Sequence, residues 1–189
     1  MKNILCIDSC IDRARSRTER LAQACLNKRL ALGDAQLETI VLEDVPLQPL
    51  DKERLSYRER CIAEGNFSDP LFDFAKSFAA ADELVIAAPF WDFSFPAMLK
   101  IFLEQICVRD LTFRYTETGG IASLTKLTSV TYITTSGGCI DTDNCGYEYV
   151  KKLCGGLFGV KEFRFISAQG LDIFGNDPEK ILTQAIEEL

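Results

Sequence analysis

The sequence predicts a single α/β domain over residues 1–189, a three-layer, doubly wound sheet of five parallel strands in the order 2-1-3-4-5. Its 189 residues suit one such domain, and this short length favours five strands over the six of the dinucleotide-binding fold. Apolar runs of strand length alternate with helical periodicity, and the runs are mostly continuous in Val, Ile, Leu, Phe and Thr and do not alternate with polar residues, which is typical of strands buried on both faces. The predicted strands are Asn3–Asp8, Leu37–Leu42, Glu83–Ala88, Leu127–Thr134 and Glu162–Ser167.

Capping residues mark three helix starts between these strands. Ser16 and Glu19 form a capping box in front of a stretch whose apolar residues share one helical face. Asp69 and Asp177 are each followed by proline, which combines an N-cap with a favoured first-turn residue. The last of these starts predicts a helix at the end of the chain. Residues 42–66 give no clear pattern.

Composition narrows the classes of function. Hydrophobic residues make up 47% of the chain and charged residues 26%, as in compact globular proteins. The net charge of −7 disfavours nucleic acids and anionic membranes as partners. No apolar run approaches the length of a membrane span, and residues 3–7 lack the basic flank of a signal peptide.

The eight cysteines are scattered, and the chain contains no histidine. No C-x-x-C pair is present, so the usual zinc spacings are missing and the commonest general base is unavailable. A chain of this size does not need disulfides to fold, which favours a reduced, cytoplasmic setting. We therefore expect any chemistry to come from a cofactor.

In a sheet of this order, a ligand binds at the carboxyl ends of the strands, where the strand order reverses. The loop after the first strand, residues 9–18, combines hydroxyl groups and three arginines with a helix N-terminus, an arrangement that suits a phosphate. The alternative is that Ser16 only caps the helix and the arginines are solvated. The patterns of nucleoside triphosphate and dinucleotide sites are absent.

The loops after the third and fourth strands complete this predicted site. Residues 88–96 place four aromatic rings between two prolines, and Phe90 and Trp91 are the expected contacts to a flat ring system. The alternative is that some of these rings are core or dimer contacts. Residues 134–138 end in two glycines, whose amides can approach a ligand closely, although such a pair can also be a plain turn.

Read together, the three loops resemble those of the FMN-dependent NADH:quinone oxidoreductases and azoreductases, a branch of the flavodoxin-like superfamily. The resemblance runs along nearly the whole chain. Its most specific segments are residues 84–93, LVIAAPFWDF, with the helix from Pro96, and residues 111–117, LTFRYTE, which is similar to the family's VTF-(K/R)-YTE stretch.

The resemblance implies an FMN site in three parts. The residues implied for the phosphate are Ser9 or Cys10, with Ser16, Arg17 and Thr18. The residues implied beside the ribityl chain and the ring are Pro89, Phe90, Trp91, Asp92 and Phe93. The residues implied to complete the isoalloxazine pocket are Thr135, Ser136, Gly137 and Gly138.

Three departures from the family bear on substrate choice and potential. Family members commonly carry Asn where Asp92 stands, Arg where Ser136 stands, and often a histidine a few residues after the glycines. A carboxylate at Asp92 facing an electron-rich flavin edge would be unfavourable unless it were protonated or pointed away.

The function implied is a two-step exchange, in which NAD(P)H reduces bound FMN and leaves, and a small aromatic acceptor such as a quinone or azo compound then takes the electrons. The resemblance also implies a homodimer, with Phe113 and Tyr115 lining the acceptor pocket, although a plain packing role for both is the alternative. Rival interpretations are a flavodoxin-type electron carrier, an iron–sulfur flavoprotein, and an interaction protein that has lost its cofactor.

Overall fold

A computed structural model of the protein describes residues 1–140 and 144–189. Within these ranges it contains one large sheet, one small hairpin and six α-helices. In chain order the elements are β1 (Lys2–Asp8), α1 (Arg17–Leu30), β2 (Ala35–Val41), α2 (Lys52–Ala63), α3 (Asp73–Ala80), β3 (Glu83–Ala87), α4 (Ala97–Ile106), β4 (Phe113–Tyr115), β5 (Ile121–Ser123), β6 (Ser129–Thr135), α5 (Cys145–Phe158), β7 (Glu162–Ala168) and α6 (Pro178–Glu187).

The large sheet has the strand order β2-β1-β3-β6-β7, with every neighbouring pair parallel. Because β4 and β5 form a separate antiparallel pair, this is the predicted order 2-1-3-4-5, and the predicted fold class is confirmed. All five predicted strands are present, with boundaries within two residues of those expected.

Both faces of the sheet are covered, as the apolar strands predict. Along β1, Ile4 and Cys6 enter the core beneath α1 and α6, while Leu5 and Ile7 enter the opposite core beneath α4 and α5. Alternate side chains of one strand therefore serve two hydrophobic cores, which explains why the strand is apolar throughout.

The three predicted helix starts are observed, one with a difference. Ser16 Oγ accepts a hydrogen bond from the Glu19 amide at 3.2 Å, and Asp177 caps α6 in the same manner. Asp69 accepts from the Leu71 amide, but the turn it caps, Pro70–Phe72, is a 3₁₀-helix, and α3 begins one residue later.

Three elements were not predicted from the sequence, namely α2, the β4–β5 hairpin and α5, for which no helix start was identified. Helix α2 lies in the stretch without a clear pattern, because it is mostly polar and buries only Cys61 and Ile62. The second is the β4–β5 hairpin, whose strands have three residues each and are too short for a periodicity to be recognised. Among the described residues, none of the helices combines the length and apolar character needed to cross a bilayer.

Candidate functional site

A cavity of about 450 Å³ lies at the carboxyl ends of the central strands. It joins the three loops predicted from the sequence with a fourth loop, which follows β7. The residues lining it are Ile11, Asp12, Arg15, Ser16, Arg17, Thr18, Pro89, Phe90, Trp91, Thr135, Ser136, Gly137 and Asp172.

The N-terminus of α1 forms one wall of the cavity. The first amides of a helix have no intrahelical acceptor. Here the Ser16 hydroxyl oxygen accepts a hydrogen bond from the Glu19 amide, and the Ser16 carbonyl accepts one from the Arg20 amide. The amides of Arg17 and Thr18 precede these and lie at the end of the helix that meets the cavity. This wall therefore offers donors and a positive dipole end to an anion.

A buried hydroxyl pair fixes this wall to the sheet. Thr18 Oγ1 lies 2.6 Å from Thr135 Oγ1, and both side chains are buried. The contact joins the first turn of α1 to the last residue of β6. It therefore fixes the position of the first predicted loop relative to the third.

Ser9 and Cys10 lie beneath the cavity and do not line it. Both are buried, and Ser9 Oγ donates to the Ala87 carbonyl at 2.9 Å. The Cys10 amide donates to Asp8 Oδ1, and burial raises the pKa of the Cys10 thiol well above its usual range. The structure thus places these two residues in the floor of the loop, away from the surface that would meet a ligand.

The floor also contains a charged cluster that ties the loop together. Arg13 donates from Nε to Asp8 Oδ2 at 2.7 Å and from Nη2 to Glu19 Oε1 at 2.9 Å. Burial, followed by the neighbouring Asp8 carboxylate, raises the pKa of Glu19. The Arg13 guanidinium supplies the positive charge between two carboxylates and links the end of β1 to the first turn of α1.

In the second loop, Pro89, Phe90 and Trp91 line the cavity, but Asp92 and Phe93 do not. Trp91 and Ser94 exchange backbone hydrogen bonds across a two-residue turn, in which Asp92 and Phe93 have positive φ angles of 49° and 62°. The turn carries both side chains to the exposed surface. The carboxylate at position 92 is therefore outside the cavity lining.

The third loop contributes Thr135, Ser136 and Gly137, while Gly138 lies outside the lining. The amide of Phe90 donates to the Thr135 carbonyl, which joins this loop to the second. Ser136 Oγ donates to the Gly138 carbonyl at 2.6 Å, so this hydroxyl is engaged within its own loop.

Asp172, in the loop after β7, is the lining residue that lies outside the three predicted loops, whereas Ile11 and Asp12 line the cavity from the first loop without having been predicted for the site. The Asp172 carboxylate accepts two hydrogen bonds from Arg17, which lower the pKa of Asp172. A signal was available, because the last predicted strand also ends at this edge of the sheet and lies next to β6.

The two residues predicted to line an acceptor pocket, Phe113 and Tyr115, differ in how far they are buried. Phe113 is buried in the core beneath α4 and α5, while Tyr115 is 64% exposed and packs edge-on against Phe113 at 5.6 Å. In the single chain, Phe113 therefore has a packing role, which was the alternative to lining an acceptor pocket. Tyr115 is accessible to a ligand or a partner.

Comparison with known proteins places the chain in a family. Residues 2–189 match the family described as "Flavodoxin-like fold". The chain is 40% identical over 119 residues, 61% of its length, to FMN-dependent NADH:quinone oxidoreductase 2 of Clostridium acetobutylicum. It is 32% identical over 179 residues, 92% of its length, to an FMN-dependent NADH:quinone oxidoreductase of Coprothermobacter proteolyticus. The matches span 59% and 88% of those two relatives, respectively.

Two solved structures share the fold. An azoreductase of Bacillus anthracis superposes over 100% of this chain and 96% of its own, with a TM-score of 0.85 and 19% identity. An FMN-dependent NADH-azoreductase of Bacillus anthracis in complex with FMN superposes over 100% and 95%, with a TM-score of 0.81 and 23% identity. At these identities the likeness concerns the fold alone. Together with the sequence matches, it means that the chain belongs to the flavodoxin-like fold family, in the branch of the FMN-dependent NADH:quinone oxidoreductases that the sequence resemblance indicated.

Proposed function

We propose that this protein is an FMN-dependent oxidoreductase that passes two electrons from NAD(P)H to quinones, azo compounds or similar aromatic acceptors. The observation that carries the proposal is the cavity of about 450 Å³, which joins a helix N-terminus to an aromatic wall at the edge of the sheet where this fold binds ligands. The names of its relatives support the same activity.

The residues around the cavity fit a phosphorylated flavin. Ser16, Arg17 and Thr18 are proposed to hold the phosphate, because the amides of Arg17 and Thr18, the Ser16 hydroxyl and the Arg17 guanidinium lie at the N-terminus of α1. The cavity lies within the range of about 300 to 1,000 Å³ that is usual for small-molecule sites. A phosphate at this wall would satisfy helix amides that have no acceptor within α1.

The wall opposite is proposed to hold the flavin ring. Pro89, Phe90 and Trp91 offer apolar surface, and the backbone of residues 135–137 offers donors and acceptors at close range. Because Asp92 lies outside the lining, its negative charge does not oppose an electron-rich ring in this arrangement.

FMN held at this site would supply two-electron redox chemistry between a nicotinamide and an aromatic acceptor. The protein's own contribution would be positioning and electrostatics, and histidine, the commonest general acid and base, is absent from the sequence. A quinone that takes up a hydride needs one further proton to become a hydroquinone, and solvent would supply it.

A homodimer is part of the proposal. Trp91, Phe93 and Tyr115 are 46%, 70% and 64% exposed, and exposed aromatic side chains of this size are typical of interaction surfaces. A second copy of the chain covering them would complete an acceptor pocket, with Tyr115 contributed at its rim. Sedimentation equilibrium of the purified protein tests the dimer, and a monomer at micromolar concentration would contradict it. The cytoplasmic location stays a prediction.

The function is tested by adding FMN to the apoprotein and recording the absorbance spectrum, then adding NADH and a quinone in turn without oxygen. We expect a one-to-one flavin complex that NADH bleaches and the quinone reoxidises, with many turnovers. A flavin complex that NADH does not bleach would favour an electron carrier. Failure to take up FMN would favour the cofactor-free interpretation.

A further inference from the structure

An ion pair crosses the mouth of the cavity, where the phosphate of the cofactor is proposed to lie. Arg17, the first residue of α1, donates from Nη1 to Asp172 Oδ1 at 2.9 Å and from Nη2 to Oδ2 at 3.2 Å. Both residues line the cavity. The Arg17 guanidinium thus already forms a bidentate pair with a carboxylate. It would bind a phosphate in the same geometry.

The position of Asp172 is fixed by the third loop. Its amide donates to the Gly137 carbonyl at 2.9 Å, and the amide of Leu171 donates to the Ser136 carbonyl at 3.1 Å. The carboxylate lies directly over Gly137, where an added Cβ would be 2.4 Å from Asp172 Oδ2. A glycine is therefore what leaves room for the carboxylate at this point of the cavity.

The charges around the cavity cancel. Among the described residues that line it, the charged ones are Asp12, Arg15, Arg17 and Asp172. Arg15 pairs with Asp12 through a hydrogen bond of 2.7 Å, as Arg17 pairs with Asp172. A phosphate dianion that enters the cavity consequently meets no uncompensated cation unless one of these pairs opens.

We infer that Asp172 competes with the flavin phosphate for Arg17 and so sets how strongly the cavity prefers phosphorylated flavin. This inference rests on the proposed function. Binding of FMN exchanges the carboxylate for the phosphate as the partner of the guanidinium. Riboflavin has no phosphate and leaves the pair closed. Opening the Arg17–Asp172 pair costs free energy, so the phosphate contributes less to the affinity for FMN than it would if Arg17 were unpaired.

The test is to replace Asp172 by asparagine in the full-length protein and to titrate FMN and riboflavin separately, following flavin fluorescence. The variant removes a competing exposed ion pair and one negative charge next to the proposed phosphate position. We therefore expect FMN affinity to rise about three- to tenfold. Riboflavin affinity should stay within about twofold, because the ring and its wall are unchanged. Asp172→Ser, which also removes the charge, should behave in the same way and guards against a folding defect of one variant.

Glu179→Gln is the matched control. Glu179 accepts two hydrogen bonds of 2.8 Å from Arg20, one turn further along α1, and neither residue lines the cavity. This variant removes the same charge from a pair of the same geometry. Glu179 is close enough to Arg17 for the two charges to interact but does not pair with it, so FMN affinity should rise by less than about twofold, and riboflavin affinity should not change.

The outcomes separate the two proposals. Tighter FMN binding with unchanged riboflavin binding supports competition at Arg17. FMN binding that is unchanged or weaker in both Asp172 variants, or that tightens equally for both flavins or as much in Glu179→Gln as in the Asp172 variants, overturns the competition and leaves the proposed function standing. Absence of binding of either flavin to the parent protein overturns both.

Discussion

Replacing Arg13 by glutamine should destabilise the fold strongly for a residue in a surface loop. Its guanidinium is the cation that Asp8, which is 1% exposed, and Glu19 share. Breaking a buried ion pair costs about 3 to 5 kcal/mol, and because the Arg13 side chain is 36% exposed, we expect about 2 kcal/mol. For a protein of this size that lowers the midpoint of urea unfolding by roughly 0.8 M.

The loss should depend on pH. Burial and the Asp8 carboxylate raise the pKa of Glu19, so the folded state holds this proton more tightly than the unfolded chain. Stability therefore decreases as pH rises from the ordinary carboxyl range through the raised pKa. Without Arg13 the pKa of Glu19 rises further, and Arg13→Gln should cost more at pH 7.5 than at pH 5.

Arg15→Gln is the control for this prediction, since Arg15 lies in the same loop but is highly exposed, and its ion-pair partner within residues 1–140 and 144–189 is the exposed Asp12. Its unfolding midpoint should match that of the parent protein. Circular dichroism in a urea series at the two pH values gives all the midpoints. Equal midpoints for the Arg13 and Arg15 variants, or a loss for Arg13→Gln that does not change with pH, would refute the reasoning.

Two further variants probe the walls of the cavity. Thr18→Val leaves the buried Thr135 hydroxyl without its partner at 2.6 Å and should cost about 1 to 2 kcal/mol in urea unfolding, whereas the double Thr18→Val, Thr135→Val variant should cost less than the two single changes together. An additive double variant would contradict this. Gly137→Ala must displace the Asp172 carboxylate, and because this is the free end of a side chain that is 63% exposed, the loss of stability should be at most about 1 kcal/mol. Gly138→Ala meets nothing within 4 Å and should cost less; a larger loss for Gly138→Ala than for Gly137→Ala would contradict the described packing.

The fold was predictable because its central strands, β1, β3 and β6, are buried on both faces. Residues 84–88 are apolar without alternation for a physical reason, since Leu84 and Val85 enter different cores. The N-cap at Ser16 was predictable because it depends on residues only three positions apart, and the hydrogen bond from the Glu19 amide to Ser16 forms as expected. Strand ends then locate the loops, because the carboxyl ends of parallel strands meet at one edge.

The details of the site were less predictable, because they depend on side-chain directions just beyond the strand ends. Cys10 turns into the floor, where its amide bonds to Asp8, and no pattern in the sequence signals this. Asp92 and Phe93 leave the cavity because they occupy a turn with two positive φ angles, which a phenylalanine rarely adopts. Asp172 was missed because its pairing with Arg17 spans 155 positions of the chain.

A crystal structure of the protein with FMN would test the central claim most directly. We expect the phosphate within hydrogen-bond distance of the first-turn amides of α1 and of Arg17, with the ring against Phe90 and Trp91. Flavin bound elsewhere on the protein, or a phosphate directed into solvent away from α1, would contradict the account.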